Sequence, residues 1–322
     1  MKLRTLGLAG IALGAGALAP ADADERAVVA SIKPIHSLVA GVMAGVGQPG
    51  LLVKGAGSEH SYSLRPSEAR ALERADVVFW VGEMMETFLI RPLQTLAGKA
   101  QVVELSKAPG LTLLATRGGG VWEPAAHEDE DRHTDADDAA GEDHANGETD
   151  MHVWLDPANA KVLVAAIANV LGEVDPENAA TYQSNAAHVR GQIDALDRTL
   201  ADKLEVVGDR PYVVFHDGYQ YFERRYGTNA VGAITINPTR RPGAQRLEEI
   251  HAQLEQLDAA CVFAEPQFEP ALVDTLIEGT NARAGVLDPL GSALEAGPGQ
   301  YFQLMSGLAD SLVACLGSNA PE

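Results

Sequence analysis

Short apolar runs alternate with helical patterns along most of this chain, and this alternation restricts the fold more than any other feature. The first half contains four such runs, at 27–32, 51–53, 77–80 and 101–105. The second half contains four more, at 212–215, 230–234, 261–264 and 284–287. Strands that alternate with helices predict parallel sheets built from β-α-β units. We therefore expect an α/β fold with two such regions.

A long helical pattern separates the two regions. A helix is expected from Pro176 to Val207, and from Val189 onward its apolar residues recur at steps of three and four. At 1.5 Å per residue, a helix of this extent would be roughly 45–50 Å long. We expect an N-terminal lobe at 24–174, a linking helix at 175–207 and a C-terminal lobe at 208–322.

An acidic segment interrupts the alternation between residues 117 and 150. Twelve of the 28 residues from Glu123 to Asp150 are carboxylates, and three are histidines, namely His127, His133 and His144. So few apolar residues cannot offset the entropy of ordering, which predicts a mobile loop within the N-terminal lobe. A solvated linker is one interpretation. An auxiliary low-affinity metal-binding loop is the other, because histidine tracts bind transition metals.

The chain begins with the pattern of an export signal. Basic residues at 1–4 precede an apolar run at 6–18, which is followed by Ala21-Asp22-Ala23. We expect a cleaved signal peptide at 1–23, because the apolar run is shorter than the ~20 residues that a membrane-spanning helix needs. The net charge of −21 argues against nucleic acid as a partner.

The chain has two cysteines, Cys261 and Cys315. An even pair in an exported protein usually forms a disulfide. Two buried free thiols are the alternative.

Three histidines occupy similar positions, each at the end of a different segment. His60 follows a glycine-rich stretch, His152 precedes a Trp-Leu pair, and His216 follows an apolar run. Neutral imidazole is a good ligand for zinc and similar metals. Asp288, Glu59 or water would complete a tetrahedron. Each histidine taken alone could instead be structural, since the chain has no His-Glu-x-x-His motif.

Six short motifs occur in a fixed order along the chain after the signal peptide. They are Ser31-Ile32-Lys33-Pro34, His60 with Leu64-Arg65-Pro66-Ser67, His152-Val153-Trp154-Leu155-Asp156-Pro157, Phe215-His216-Asp217-Gly218-Tyr219, Ala264-Glu265-Pro266-Gln267-Phe268 and Leu287-Asp288-Pro289-Leu290-Gly291. Together they resemble the periplasmic zinc-binding proteins of bacterial high-affinity zinc ABC importers, over essentially the whole chain after the signal peptide.

The resemblance implies two (β/α)4 lobes that are joined by a long rigid helix, with Zn²⁺ bound in the cleft between them as transported cargo. It also implies a periplasmic, non-enzymatic and monomeric protein that delivers zinc to a membrane permease. By motif, the zinc histidines are His60, His152 and His216, and Asp288 is the fourth ligand. Glu59 competes with Asp288 for that role. The family's disulfide matches the two cysteines.

Two rival functions remain open at this point. A manganese or iron binder would share the fold, but in related manganese binders a carboxylate stands at the position that matches His216. A secreted zinc hydrolase would need a base beside a metal-bound water, and Glu265 and Glu59 are the candidates. A surface adhesin that merely retains metal is a more distant possibility.

Overall fold

The computed structural model describes residues 26–118, 149–235, 238, 243–256, 259–268 and 271–317. The expected signal peptide at 1–23 lies outside the described residues, as do the three histidines of the acidic segment, His127, His133 and His144. Within the described ranges, no helix has the length and apolar character needed to cross a membrane.

Four short strands form the first sheet. They are β1 (Val28–Ala30), β2 (Gly50–Leu51), β3 (Val77–Trp80) and β4 (Gln101–Glu104). All are parallel and lie in the order β2-β1-β3-β4. The connecting helices are α1 (Lys33–Val42), α2 (Pro66–Arg74) and α3 (Ile90–Leu96). Every residue of β1 and β3 is buried, as expected for central parallel strands that are covered on both faces.

A two-stranded antiparallel ribbon follows the first sheet, and sequence analysis did not predict it. It consists of β5 (Leu114–Ala115) and β6 (Thr149–Asp150), with Leu114 opposite Asp150. Strands of two residues are too short to show a period. The ribbon places both ends of the acidic segment side by side.

Two helices join the lobes. The first, α4 (Pro157–Val174), begins where the Asp156 carboxylate accepts a hydrogen bond from the Ala158 N–H at 2.8 Å. The second, α5 (Ala179–Leu204), is the predicted long helix. It is shorter than expected because Pro176–Asn178 form a separate 3₁₀ turn. Its 26 residues span about 39 Å at 1.5 Å per residue.

A second parallel sheet follows α5. Its strands are β7 (Pro211–His216), β8 (Asn229–Thr235), β9 (Cys261–Ala264) and β10 (Arg283–Val286). They lie in the order β10-β9-β7-β8. The helices of this lobe are α6 (Gln220–Tyr226), α7 (Ala244–Gln256), α8 (Ala271–Ile277) and α9 (Gln300–Leu316). The predicted α/β class, with two lobes and a long linking helix, is confirmed.

The last helix, α9, was not predicted, although Leu304, Leu308 and Leu312 show its four-residue spacing. It packs on α1 of the first lobe as well as on α5. At its start, the Tyr301 N–H donates to the Ser37 hydroxyl at 2.9 Å. One continuous core therefore extends from the first sheet through α4 and α5 to α9.

The predicted disulfide between Cys261 and Cys315 is present and ties β9 to α9 across a separation of 54 residues. Closing a loop of this length in the unfolded chain is worth about 4 kcal/mol. We therefore expect the double variant Cys261→Ala/Cys315→Ala to lose about 4 kcal/mol of unfolding free energy in urea titrations of the metal-free protein. Reducing the parental protein should produce a similar loss. A loss below about 1 kcal/mol in both experiments would contradict this entropic account.

Candidate metal centre

Three imidazoles and one carboxylate from the two lobes converge on one point. They belong to Glu59, His60, His152 and His216, and one potential ligand atom of each lies within 4.8 Å of the others. The side chains of Glu59, His152 and His216 are at most 5% exposed, whereas that of His60 is 19% exposed. The cluster is therefore buried and reaches the surface mainly through His60.

The separations within the cluster approach those of a tetrahedral metal centre. The Nε2 atoms of His152 and His216 are 3.2 Å apart. Oε1 of Glu59 lies 3.8 Å from Nε2 of His60 and 3.8 Å from Nε2 of His152. Metal–nitrogen bonds of ~2.0–2.1 Å in a tetrahedron place neighbouring ligand atoms about 3.3–3.4 Å apart. These three separations therefore lie within about half an ångström of the tetrahedral spacing.

Regular elements position two of the histidines. His216 is the last residue of β7, at the carboxyl end of a parallel strand, where open α/β sheets bind ligands. His152 immediately precedes a 3₁₀ turn whose Trp154 is fully buried. The indole Nε1–H of Trp154 donates to the Pro289 carbonyl at 2.9 Å, which joins this turn to the second lobe.

An irregular turn before α2 positions Glu59 and His60. The Ser58 hydroxyl accepts a hydrogen bond from the His60 N–H at 3.2 Å. Beyond the turn, the buried Glu68 carboxylate accepts from the Tyr62 hydroxyl at 3.0 Å and from the Arg65 N–H at 2.7 Å. The turn is thus held by side-chain contacts rather than by a sheet, which explains why its conformation does not follow from hydrophobic periodicity.

Two buried carboxylates orient the imidazoles of His152 and His216 from behind. Nδ1 of His152 lies 2.8 Å from Oδ1 of Asp150, and Nδ1 of His216 lies 2.6 Å from Oε1 of Glu265. A proton on each Nδ1 satisfies these contacts and leaves the Nε2 lone pair free to bind a metal. Carboxylate–histidine pairs of this kind are typical of metal centres.

The charges of the cluster are strongly coupled. Burial alone would raise the pKa of Glu59, but the interaction with His152, whose Nε2 lies 3.8 Å away, and the charges of His60 and His216 outweigh it, and the pKa falls to about 2. Burial lowers the pKa of His60 to about 3 although Glu59 opposes the shift. Burial also disfavours charge on His152, but Asp150 and Glu59 outweigh it and raise its pKa to about 10. In the metal-free protein His152 is therefore in its charged imidazolium form near neutral pH.

Two further observations fit a bound cation. Nε2 of His60 and Oε1 of Glu59 are buried and make no hydrogen bond to any residue that the structure describes. At Gly218, an added Cβ would lie 2.7 Å from Nε2 of His216 and 3.1 Å from Nε2 of His152. Glycine at this position keeps the space in front of both nitrogens open.

Asp288, the fourth ligand expected from the family resemblance, lies outside the cluster of Glu59, His60, His152 and His216 in this structure. Its carboxylate accepts hydrogen bonds from the Ser292 N–H at 2.6 Å and the Ser292 hydroxyl at 2.7 Å. It also accepts from the Leu290 N–H at 3.1 Å and from the Gln267 amide at 2.9 Å. Asp288 therefore shapes the 288–292 turn, and the alternative, Glu59, faces the histidines.

The structure thus brings His60, His152 and His216 together, as sequence analysis expected, with Glu59 beside them. Asp150, which orients His152, was missed, although a carboxylate two residues before a candidate ligand is a visible signal. Glu265 was considered only as a catalytic base. Its contact with His216 depends on the pairing of β9 with β7, which no local sequence pattern reveals.

Comparisons with known proteins agree with this geometry. The family model described as "Zinc-uptake complex component A periplasmic" matches residues 28–315. The chain is 51% identical over 308 residues to the "High-affinity zinc uptake system protein ZnuA" of Brucella abortus, and the match covers 91% of this chain and 92% of that protein.

Solved structures extend the similarity to the fold. A crystal structure of ZnuA matches with a TM-score of 0.73 and 21% identity, covering 91% of this chain and all of that one. The solute-binding protein FpvC of Pseudomonas aeruginosa, in complex with Mn²⁺, matches with a TM-score of 0.74 and 21% identity, covering 91% of this chain and 99% of that one. Proteins described with different metals thus share this architecture, so the fold alone does not identify the metal.

Proposed function

Because this chain belongs to the family of the periplasmic zinc-uptake complex component A, we propose that it captures Zn²⁺ outside the cytoplasm and delivers it to the permease of an ABC importer. Zinc is the cargo of the protein rather than a resident cofactor. The members of this family are periplasmic, and a signal peptide at 1–23 would account for export.

The convergence of three imidazole nitrogens with one carboxylate oxygen carries this proposal. Imidazole suits zinc, whereas manganese and other hard cations favour oxygen-rich sites. The ligand set that we assign to zinc is His60, His152, His216 and Glu59. A family position that carries a carboxylate in related manganese binders is the histidine His216 here, which also favours zinc.

The same geometry supports a binding protein over a hydrolase. A catalytic zinc keeps an open position for water and needs a base that reaches this water. Glu59 lies among the ligands. The carboxylate of Glu265 accepts a hydrogen bond from the His216 backbone N–H at 3.2 Å and lies 2.6 Å from Nδ1 of the same histidine. Each candidate base therefore has another role.

Metal titration with competition tests the proposal. The full chain should bind one tight zinc ion per molecule, which excess Mn²⁺ does not displace. The variant His216→Glu should bind zinc more weakly and show a smaller preference for zinc over manganese. Manganese that displaces zinc from the parental protein would overturn the zinc assignment. Hydrolysis of generic ester or peptide substrates that depends on bound zinc would favour the enzyme.

Delivery requires the membrane partner and is tested with vesicles that contain the permease and its ATPase. The zinc-loaded chain, added as a monomer, should support ATP-driven zinc uptake, and His216→Ala should not. Uptake that proceeds equally well with the variant would contradict a delivery role.

We assign the acidic segment the role of an auxiliary low-affinity metal loop, on the basis of its carboxylates and of His127, His133 and His144. A variant in which a short Gly-Ser linker replaces residues 119–148 should keep the tight zinc and lose the weakly bound zinc. An unchanged total metal count would make the segment a plain linker.

Zinc binding should release about one proton per ion near pH 7, because a nitrogen must be deprotonated before it binds a metal. His152, with its pKa of about 10, holds that proton, whereas His60 (about 3) and Glu59 (about 2) have already lost theirs. Zinc affinity should therefore rise about tenfold per pH unit between pH 6 and 8. Calorimetry in buffers of different ionisation enthalpy measures the released protons. Asp150→Asn should reduce the release, and a parental protein that releases none would contradict the assignment.

Glu265→Gln should weaken zinc binding by about 10–100-fold, the usual effect of losing a partner that orients a metal-binding histidine. The amide is uncharged and no longer polarises His216 through Nδ1. Competition with a fluorescent chelator measures the change, with Glu249→Gln on the surface of α7 as the matched control. Equal affinities for the two variants would show that Glu265 has no such role.

A further inference from the structure

Arg117 makes an ion-pair network that no ligand assignment explains. Its Nε–H lies 3.1 and 3.0 Å from the two carboxylate oxygens of Asp217, to which Nη2 is also bonded. Its Nη1 and Nη2 donate to the two oxygens of Glu223 at 2.8 and 3.0 Å. The side chains of Arg117, Asp217 and Glu223 are only 22%, 12% and 8% exposed. One guanidinium thus bonds two carboxylates at once in a largely buried position.

This network connects the ribbon β5–β6 to the second lobe. Arg117 lies two residues beyond β5, whereas Asp217 and Glu223 lie after β7 and on α6. The Tyr221 hydroxyl reinforces the connection, because it accepts from the Leu114 N–H at 3.0 Å and donates to the Asp150 carbonyl at 2.8 Å. Both strands of the ribbon are therefore attached to α6.

Both ends of this connection lead directly to metal ligands. On the ribbon, the Asp150 carboxylate lies 2.8 Å from Nδ1 of His152. In the second lobe, Asp217 is the residue after His216. The Nε2 atoms of these two histidines are 3.2 Å apart, so a displacement of the ribbon relative to α6 would separate them.

Resting on the proposed zinc function, we infer that Arg117 is a positioning residue: its double ion pair with Asp217 and Glu223 fastens the ribbon to α6 and thereby sets the spacing of His152 and His216 around zinc. The guanidinium suits this role because its planar fork bonds two carboxylates in a defined orientation, whereas an ammonium acts as a point charge.

A purely electrostatic role for Arg117 predicts the opposite sign. Removing a positive charge near a site for a divalent cation would reduce repulsion and leave two carboxylates unneutralised, so zinc would bind more tightly and dissociate more slowly. A positioning role predicts faster dissociation. The sign of the change in the dissociation rate therefore separates the two.

The test uses the full chain loaded with zinc and measures zinc transfer to an excess of a chromogenic chelator. Arg117→Met, which keeps the length of the side chain but not its charge, should accelerate dissociation by roughly tenfold, the scale found for outer-shell partners of metal ligands. Arg117→Lys keeps the charge without the fork, and its rate should fall between those of Arg117→Met and the parental chain. The lysine variant also decides the question if the methionine variant does not fold.

Arg225→Met is the matched control. Arg225, also on α6, bonds Asp197 of α5 in a comparable two-point pair, with Nε 2.9 Å from Oδ1, but it has no contact with the ribbon. Its loss should leave the zinc dissociation rate within about twofold of the parental value. Melting temperatures of the three metal-free variants show whether a loss of stability accompanies any acceleration of zinc dissociation.

Three outcomes would overturn the inference: slower dissociation in Arg117→Met, a parental rate in Arg117→Lys, or equal acceleration in Arg225→Met. None of these outcomes contradicts the proposed function. That function would be contradicted if the parental chain bound no zinc tightly. The two proposals are therefore distinguishable in the same experiment.

Discussion

Replacing His152 or His216 with alanine is expected to weaken zinc binding by about 100–1000-fold. Structural zinc sites bind with about 10–16 kcal/mol, which four ligands share, so that each contributes roughly 2.5–4 kcal/mol. Both imidazoles are at most 5% exposed, and the Nδ1 of each lies within 2.8 Å of a carboxylate oxygen that fixes the orientation of the ring. His60→Ala should act in the same direction.

Chelator competition at fixed pH measures this loss, with zinc counting to verify stoichiometry. His188→Ala is the control, because His188 is an exposed residue of α5 away from the cluster. Near-parental affinity in any of the three cluster variants would remove that histidine from the site. A loss of affinity in His188→Ala would indicate that zinc binds elsewhere as well.

Replacing Glu59 should have a much larger effect on zinc than replacing Asp288. Glu59→Gln removes a buried negative charge that faces the three Nε2 atoms, so we expect a loss of affinity of at least about 100-fold, above the 10–100-fold typical of outer-shell partners. Asp288→Asn should change zinc affinity only slightly. It should instead destabilise the 288–292 turn by about 1–3 kcal/mol, because hydrogen bonds to a charged acceptor are lost.

The two variants are compared by zinc competition and by urea unfolding of the metal-free protein. A strong loss of affinity in Asp288→Asn, together with a parental affinity in Glu59→Gln, would restore Asp288 as the fourth ligand. Equal losses in both would require that the loop around Asp288 and the metal site act as one unit.

Direct contacts join the two lobes at two places along the cleft. On one side, the Lys33 ammonium donates to the carbonyls of Ser292 and Leu294 at 2.6 and 2.8 Å, and Trp154 donates to Pro289. The ribbon and its contacts to α6 lie at another part of the same junction.

Local sequence patterns were sufficient to predict the strands of the two parallel sheets, among them β7, which carries His216. The strands at 77–80 and 261–264 were predicted with the bounds that the structure has, because short apolar, β-branched runs next to turn residues favour buried strands. Two helices of the described part of the chain, α8 and α9, were missed because the helical pattern was not followed into the C-terminal region. The short ribbon has no pattern to follow.

The sequence by itself determined the α/β class and the long linking helix, since apolar periodicity is a property of neighbouring residues, and its motifs pointed to the three histidines through their resemblance to a family. Only the tertiary structure distinguishes the surroundings of Glu59 and Asp288, because both are acids next to recognisable motifs: Glu59 faces three imidazoles, and Asp288 accepts hydrogen bonds from Ser292. The tertiary structure also determines the partners of His216 and Arg117. Glu265 is 49 residues from His216, and Glu223 is 106 residues from Arg117, and contacts at such separations follow from packing rather than from any local pattern.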